Sequence, residues 1–325
     1  MVMTSVKYHP AGNPNLRPVD VIRDMPTILN LIEIGFHDEL DPQGWKMLSQ
    51  MRKITNQANL LRLRNVLHSE SGGFVWVEDG SVVANLSLRL AVPSMTQGRL
   101  IGNVVVHPEY RGLGIGHELV AAALRKARQE GARWIGLEVR QQNEVACDLY
   151  QSFGFRVVGS IFHMLRSTEL PWSQDTTLYM PWRKSKPIDK KYWMALADST
   201  HGHYQKRVLE IRDYQFTYGS LDRKLNLWLN AQHESAWIHD DAVPRCAVCV
   251  KTDRRYRFHV WDVFLRAGES VAGAREAVAR ALSVSKRFPH WATITLVADQ
   301  EPLVAALEEV GFHLHRTLLQ MVLEL

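Results

Sequence analysis

Asn103-Val104-Val105-Val106-His107-Pro108-Glu109-Tyr110-Arg111-Gly112-Leu113-Gly114-Ile115-Gly116 is the stretch that decides the fold. It opens as an apolar strand, breaks at His107-Pro108 and passes through three glycines into an amphipathic segment over 114–130. There Val120, Ala123, Leu124 and Ala127 share one face, and Gly131 supplies the stop. Strand, glycine turn and helix follow one another directly. Glycines in such a turn let the backbone approach a ligand closely and expose successive N–H groups. The helix N-terminus adds partial positive charge, so the arrangement suits an anion such as a pyrophosphate. Arg111, Gly112, Gly114 and Gly116 are the candidate binding residues.

Working outward, residues 1–15 form a loose lead-in rich in Pro, Asn and Gly, and 16–21 a first strand. Helical stretches follow over 24–36 and 42–54. Strands over 73–77 and 82–90 flank a hairpin turn at Glu78-Asp79-Gly80, and a further strand covers 99–106. Downstream come a strand over 134–139, a helix over 143–153 closed by Gly154, and strands over 155–165 and 176–182. A dinucleotide-binding βαβ fold does not fit. The glycine turn comes after several antiparallel-type strands, and no downstream ribose-binding acid is evident.

The basic, proline-containing Arg183-Lys184-Ser185-Lys186-Pro187 reads as a linker. Beyond it the pattern repeats: strands over 235–239, 247–251 and 257–265, a helix over 271–285, a strand over 293–297, a helix opened by Asp299 and Pro302, and a final strand pair. Gly116 and Gly154 are 38 residues apart (154 − 116), as are Gly273 and Gly311 (311 − 273), and Gly154-Phe155 matches Gly311-Phe312. This is a diverged internal duplication. At the same offset Val271 replaces Gly114, Gly268 replaces Arg111, Leu307 replaces Tyr150 and Gln300 replaces Asn143.

Composition narrows the classes. The 325 residues suffice for two domains, and 46% hydrophobic against 22% charged residues excludes a disordered chain. No apolar run approaches the ~18–20 residues of a membrane span, and the N-terminus carries no apolar signal core. Three cysteines do not make a disulfide scaffold, so a cytoplasmic location is expected. The net charge of +5 favours an anionic ligand but is too mild to require a nucleic-acid partner. Cys246-Ala247-Val248-Cys249 sits in a strand, where positions three apart face opposite sides, and no second ligand pair accompanies it; no metal is expected. The His201/His203 pair and Arg254-Arg255 read as solvated loop residues.

The 103–116 stretch resembles the acetyl-CoA signature of the GNAT superfamily of N-acetyltransferases: Arg or Gln, two residues, Gly, one residue, Gly or Ala. Arg111, Gly114 and Gly116 match it. Residues 137–143 and 146–155, with Tyr150 and Gly154-Phe155, are similar to the second signature. The string Leu137-Glu138-Val139-Arg140 is similar to that of ribosomal-protein alanine N-acetyltransferases. The resemblance follows element order over 16–182 and is specific over 99–155.

The resemblance implies an α/β (α+β) fold of tandem type, with two GNAT-like domains, each a mixed, mostly antiparallel twisted sheet flanked by helices. Residues 1–183 would be the catalytic domain that binds acetyl-CoA as co-substrate, and 184–325 a degenerate partner. It implies transfer of an acetyl group to a primary amine by direct attack in a ternary complex. A backbone N–H of Val105 or Val106 would meet the thioester oxygen, and Tyr150 would protonate the leaving thiolate. Glu138, which strand alternation sets opposite its apolar neighbours, would be the general base. Asn143 would touch the cofactor arm or cap its helix. His107 is a second candidate base, although His-Pro at a strand end is more often structural. The acceptor is a peptide α-amine or a small-molecule amine, the latter being what tandem enzymes such as mycothiol synthases use. The other function class that the same residues allow is a non-catalytic acetyl-CoA-binding regulatory protein. Oligomeric state is not encoded in any of these features.

Overall fold

The computed structural model describes residues 13–56, 72–91, 97–169, 177–211 and 213–325. Most of the expected lead-in, and the start of the strand expected over 176–182, lie outside the described residues. Contacts divide the chain into two compact units. One comprises Met1–Val139, Asn143–Arg156 and Met321–Leu325; the other comprises Arg140–Gln142 and Val157–Gln320.

The first unit holds β1 (Leu16–Pro18), α1 (Val21–Phe36), α2 (Pro42–Asn56), β2 (Gly72–Glu78), β3 (Ser81–Leu90), β4 (Gly98–Val106), α3 (Ile115–Gln129), most of β5 (Trp134–Arg140) and α4 (Glu144–Ser152). The strands lie in the order β1-β2-β3-β4-β5, antiparallel except for the parallel β4–β5 pair. Asp79 and Gly80, both at positive φ, close the β2–β3 hairpin as the sequence predicts. Asp20 caps α1 by accepting from the N–H groups of Ile22 and Arg23. One face of α1 buries Met25, Ile28 and Leu29 against Leu48 of α2 and Val75 of β2. Helix α3 buries Leu119, Val120, Ala123, Leu124 and Ala127, the face its periodicity predicts. The end of the chain also belongs here: Leu325 N–H donates to Arg133 O at 2.9 Å.

The second unit holds most of β6 (Arg156–Arg166), β7 (Trp182–Lys184), α5 (Lys190–Thr200), α6 (His203–Val208), α7 (Leu221–Leu229), β8 (Gln232–His239), β9 (Cys246–Asp253), β10 (Phe258–Leu265), α8 (Val271–Ser285), β11 (Trp291–Val297), α9 (Glu301–Glu309) and most of β12 (His313–Glu324). Its strand order is β12-β6-β11-β10-β9-β8-β7, with β10–β11 parallel. Cys246 packs in the core beneath α8, and Cys249 in the core of Trp193 and Phe216 on the opposite face, as strand alternation requires. Both units are mixed α/β layers of the expected class.

Three local expectations differ. Of the described residues 177–182, only Trp182 is in a strand; the N–H of Tyr179 goes instead to the Glu276 carboxylate at 2.6 Å. The expected linker begins inside β7, where Lys184 pairs with Trp237, and Arg183 clamps the buried Asp189 at 2.7 and 2.8 Å. The expected final strand pair is one continuous strand, β12, because nothing between His313 and Glu324 makes a turn.

Candidate active site

The site starts from an irregularity in β4. Opposite β3, Asn85 pairs with Val105 and Ser87 with Gly102, so two steps on β3 face three on β4. The extra residue is a β-bulge, and Asn103 sits in it at φ 50°. Asparagine is among the few non-glycine residues that tolerate this left-handed region. Beyond the bulge the ladder resumes, with His107 N–H donating to Val83 O at 2.8 Å. Antiparallel pairs alternate between bonded and non-bonded, so Val106, opposite Ala84, turns its N–H and C=O away from β3. Its carbonyl accepts instead from Arg111 Nε at 3.1 Å. Val105 is 5% exposed and its side chain is pressed by α1 at Gly35, where any Cβ would overlap Val105 Cγ2.

Strands β4 and β5 pair only over Gly98–Leu100 and Trp134–Gly136. Past those residues they part, and the outward-facing polar groups of Val106 look into the opening. Glu138 lies in β5 beyond its pairing with β4, exposed between buried Leu137 and Val139.

The glycine turn stands at the mouth of this opening. Gly112 (φ 77°) and Gly114 (φ 76°) adopt conformations that L side chains rarely take, and a Cβ on either would meet nothing within 4 Å. Glycine is required there for backbone shape, not for space. Gly114 is the N-cap of α3 and no side chain caps that helix end. The first-turn N–H groups are therefore presented to whatever approaches, which is the arrangement that holds a phosphate. Gly116 sits in the first turn, 3.4 Å at its Cβ position from Leu149 of α4.

Tyr150 is carried by α4 and is 5% exposed, edge-on to Phe155 at 5.8 Å. Burial, followed by the neighbouring Cys147, pushes its phenol well above the ordinary tyrosine value. Asn143 Oδ1 accepts from Ala146 N–H at 3.1 Å, so this residue caps α4. His107 Nδ1 is buried without a hydrogen bond and stands 3.9 Å from Glu109.

The corresponding helix start in the second unit carries a side-chain cap. At the start of α8, Ser270 Oγ accepts from Gly273 N–H at 3.1 Å, and Glu269 Oε1 accepts from Ser270 N–H and Oγ at 3.1 and 3.2 Å. That carboxylate lies so close to Gly273 that a Cβ would collide with it. The helix end is thus satisfied from within by a hydroxyl and an anion. Leu307, fully buried, stands at the position equivalent to Tyr150. Among the described residues no group of three or more His, Cys, Asp or Glu side chains could hold a metal ion, and no helix is long and apolar enough to cross a membrane.

Two supporting residues, Gly35 and Asn85, are not apparent from the glycine motif. The one signal for Asn85 is a polar side chain interrupting the apolar run Val82-Val83-Ala84-Asn85-Leu86.

Residues 38–155 match the model of the Acetyltransferase (GNAT) family. A mycothiol acetyltransferase of Nocardiopsis dassonvillei is 42% identical over 64 residues, covering 19% of this chain and 19% of that protein. A putative [ribosomal protein bS18]-alanine N-acetyltransferase of Bacillus subtilis is 39% identical over 59 residues, 18% of this chain and 39% of the relative. The chain thus spans well under half the length of these relatives. Across nearly all of its length it is similar in fold to a tandem GNAT protein from the clavulanic acid biosynthesis pathway, with TM-score 0.57 and 14% identity, covering 95% of this chain and 98% of that one.

Proposed function

We propose that this chain, whose residues 38–155 match the model of the acetyltransferase (GNAT) family, is an acetyl-CoA-dependent N-acetyltransferase that acts on a primary amine. The observation that carries the proposal is the coincidence, in one unit, of a parted β4–β5 pair, a bulge that frees Val106 N–H, and an uncapped glycine helix end. The residues fit acetyl-CoA. The N–H groups after Gly112 and Gly114 would hold the pyrophosphate, and an extended arm would lie where β4 and β5 are no longer paired. Bound there, the coenzyme supplies an activated acetyl group.

The chain's own residues do the rest. Val106 N–H is the donor for the acyl oxygen, a preference over Val105 that follows from the strand alternation. It acts where negative charge grows as the amine nitrogen adds to the carbonyl. The proton lost by the amine passes to Glu138, directly or through a water. The Tyr150 phenol, kept neutral by its burial, donates to the departing sulfur. The C–S bond breaks as the C–N bond is completed, leaving an amide and a thiol. Arg111 holds the turn to the strand through Val106 O, and Asn143 sets the start of the helix that carries Tyr150.

Catalysis is assigned to residues 1–183, and a non-catalytic role to 184–325. The capped end of α8 and the loss of the tyrosine support that division. For the acceptor, the relatives' names support two classes, a peptide α-amine and a small-molecule amine. The test is acetyl transfer from acetyl-CoA to a panel of both, with wild type, Tyr150→Phe and Glu138→Gln. Turnover with at least one amine, reduced in both variants, is expected. Tight coenzyme binding without turnover on any amine would instead make the chain a binding protein.

A further inference from the structure

We propose that Asn85 is a positioning residue for the acyl-transfer site: its buried side-chain amide holds the β4 bulge open and thereby aims Val106 N–H. The inference rests on the acetyl-transfer reading above. Asn85 is 1% exposed, and its Nδ2 donates to Asn103 O at 2.9 Å. Asn103 is the residue at φ 50° in the bulge. A polar amide is costly in a strand whose neighbours are Ala84 and Leu86, both fully buried, unless a partner compensates it, and here the partner is a carbonyl that the bulge has removed from the ladder.

The bulge shifts register by one residue. That shift puts Val106, instead of Val105, in the non-bonded position with its N–H facing the opening. Without the Asn85 amide, Asn103 O has no such donor, and the strand gains by relaxing toward a regular ladder, which would turn Val106 N–H back toward β3. Gly35 supports the arrangement from the other side by allowing α1 to press on Val105. Asn85 touches no reacting atom; it acts through the main chain of Asn103.

The experiment compares wild type, Asn85→Leu, the near-isosteric Asn85→Asp and the amide-retaining Asn85→Gln. Thermal unfolding first establishes which variants fold. In the free proteins, the 1H–15N signal of Val106 is expected to move in Asn85→Leu and Asn85→Asp and to move back toward wild type in Asn85→Gln. With acetyl-CoA labelled with 13C at the carbonyl, the bound carbonyl resonance is expected to shift toward its free value in the first two variants. Coenzyme affinity should stay within about twofold while kcat falls ~10²–10³-fold, the range for losing or misaiming one oxyanion donor. An unmoved Val106 amide in a folded variant overturns the role of Asn85, whether or not wild type turns over. So does a kcat loss fully accounted for by lost coenzyme binding. If wild type binds no acetyl-CoA, the acetyl-transfer reading falls by itself, and the Val106 signal still decides whether Asn85 sets the bulge.

Discussion

Arg111 Nε donates to the carbonyl oxygen of Val106 at 3.1 Å, tying the first residue of the glycine turn to the last residue of the bulged strand. The glycine turn and the bulged strand, the proposed anion-binding and acyl ends of the site, are therefore mechanically linked. Removing the guanidinium in Arg111→Ala should weaken acetyl-CoA binding about tenfold, the scale of one charge-assisted hydrogen bond. Arg111→Lys should recover only part, because a lysine keeps the charge without the fixed N–H fork. Calorimetric titration of acetyl-CoA into the three proteins measures this, and equal affinities would count against the tie.

Tyr150→Phe should lower kcat by ~10²–10⁴-fold, the range for a general acid, and leave the KM for acetyl-CoA within about threefold. Burial raises the phenol's pKa in the folded state, so the folded protein holds that proton more tightly than the unfolded chain does. This contribution to stability is complete below the unfolded value near ~10 and is lost as pH rises beyond it. Wild type should thus lose stability above that pH more steeply than Tyr150→Phe, as followed by denaturant melts across alkaline pH.

One acetyl-CoA should bind per chain. The α8 N-terminus is satisfied by Ser270 and fronted by the Glu269 carboxylate, which would repel a pyrophosphate. A calorimetric stoichiometry of two would show that this internal anion does not close the second half.

Asp189 is 1% exposed and is clamped by Arg183. The hydrogen bond from Arg183 outweighs burial and, with the Lys186 N–H, holds its carboxyl below the usual range. A depressed carboxylate pKa stabilises the fold above the unfolded value of ~3.9, and that contribution disappears as pH falls through the folded value. Asp189→Asn should cost about 2–3 kcal/mol at neutral pH and much less in acid, measured as thermal unfolding between neutral pH and pH ~3.

The regular elements were legible because each carries a local signal. Val120, Ala123, Leu124 and Ala127 mark the buried face of α3, and Gly131 its end. The positive-φ glycines at 112 and 114 were legible for the same reason, since few other residues fit there. What escaped depends on partners distant in sequence. A run such as 177–182 has strand character but becomes a strand only where β8 reaches it, and β8 meets it at Trp182. The choice between Val105 and Val106 depends on a register slip set by β3. The second unit's closed helix end depends on where Glu269 folds back, which no motif spells out.

Met321–Leu325 belongs with the first unit, and Leu325 N–H is bonded to Arg133 O. On the ribosome, the half that carries the glycine turn emerges early but lacks one of its pieces until residue 325 has been made. Until then the flank of β5 is an unpaired edge, open to mispairing for the time needed to translate the whole second half. Truncation before Met321 would therefore strike the half of the protein synthesised first.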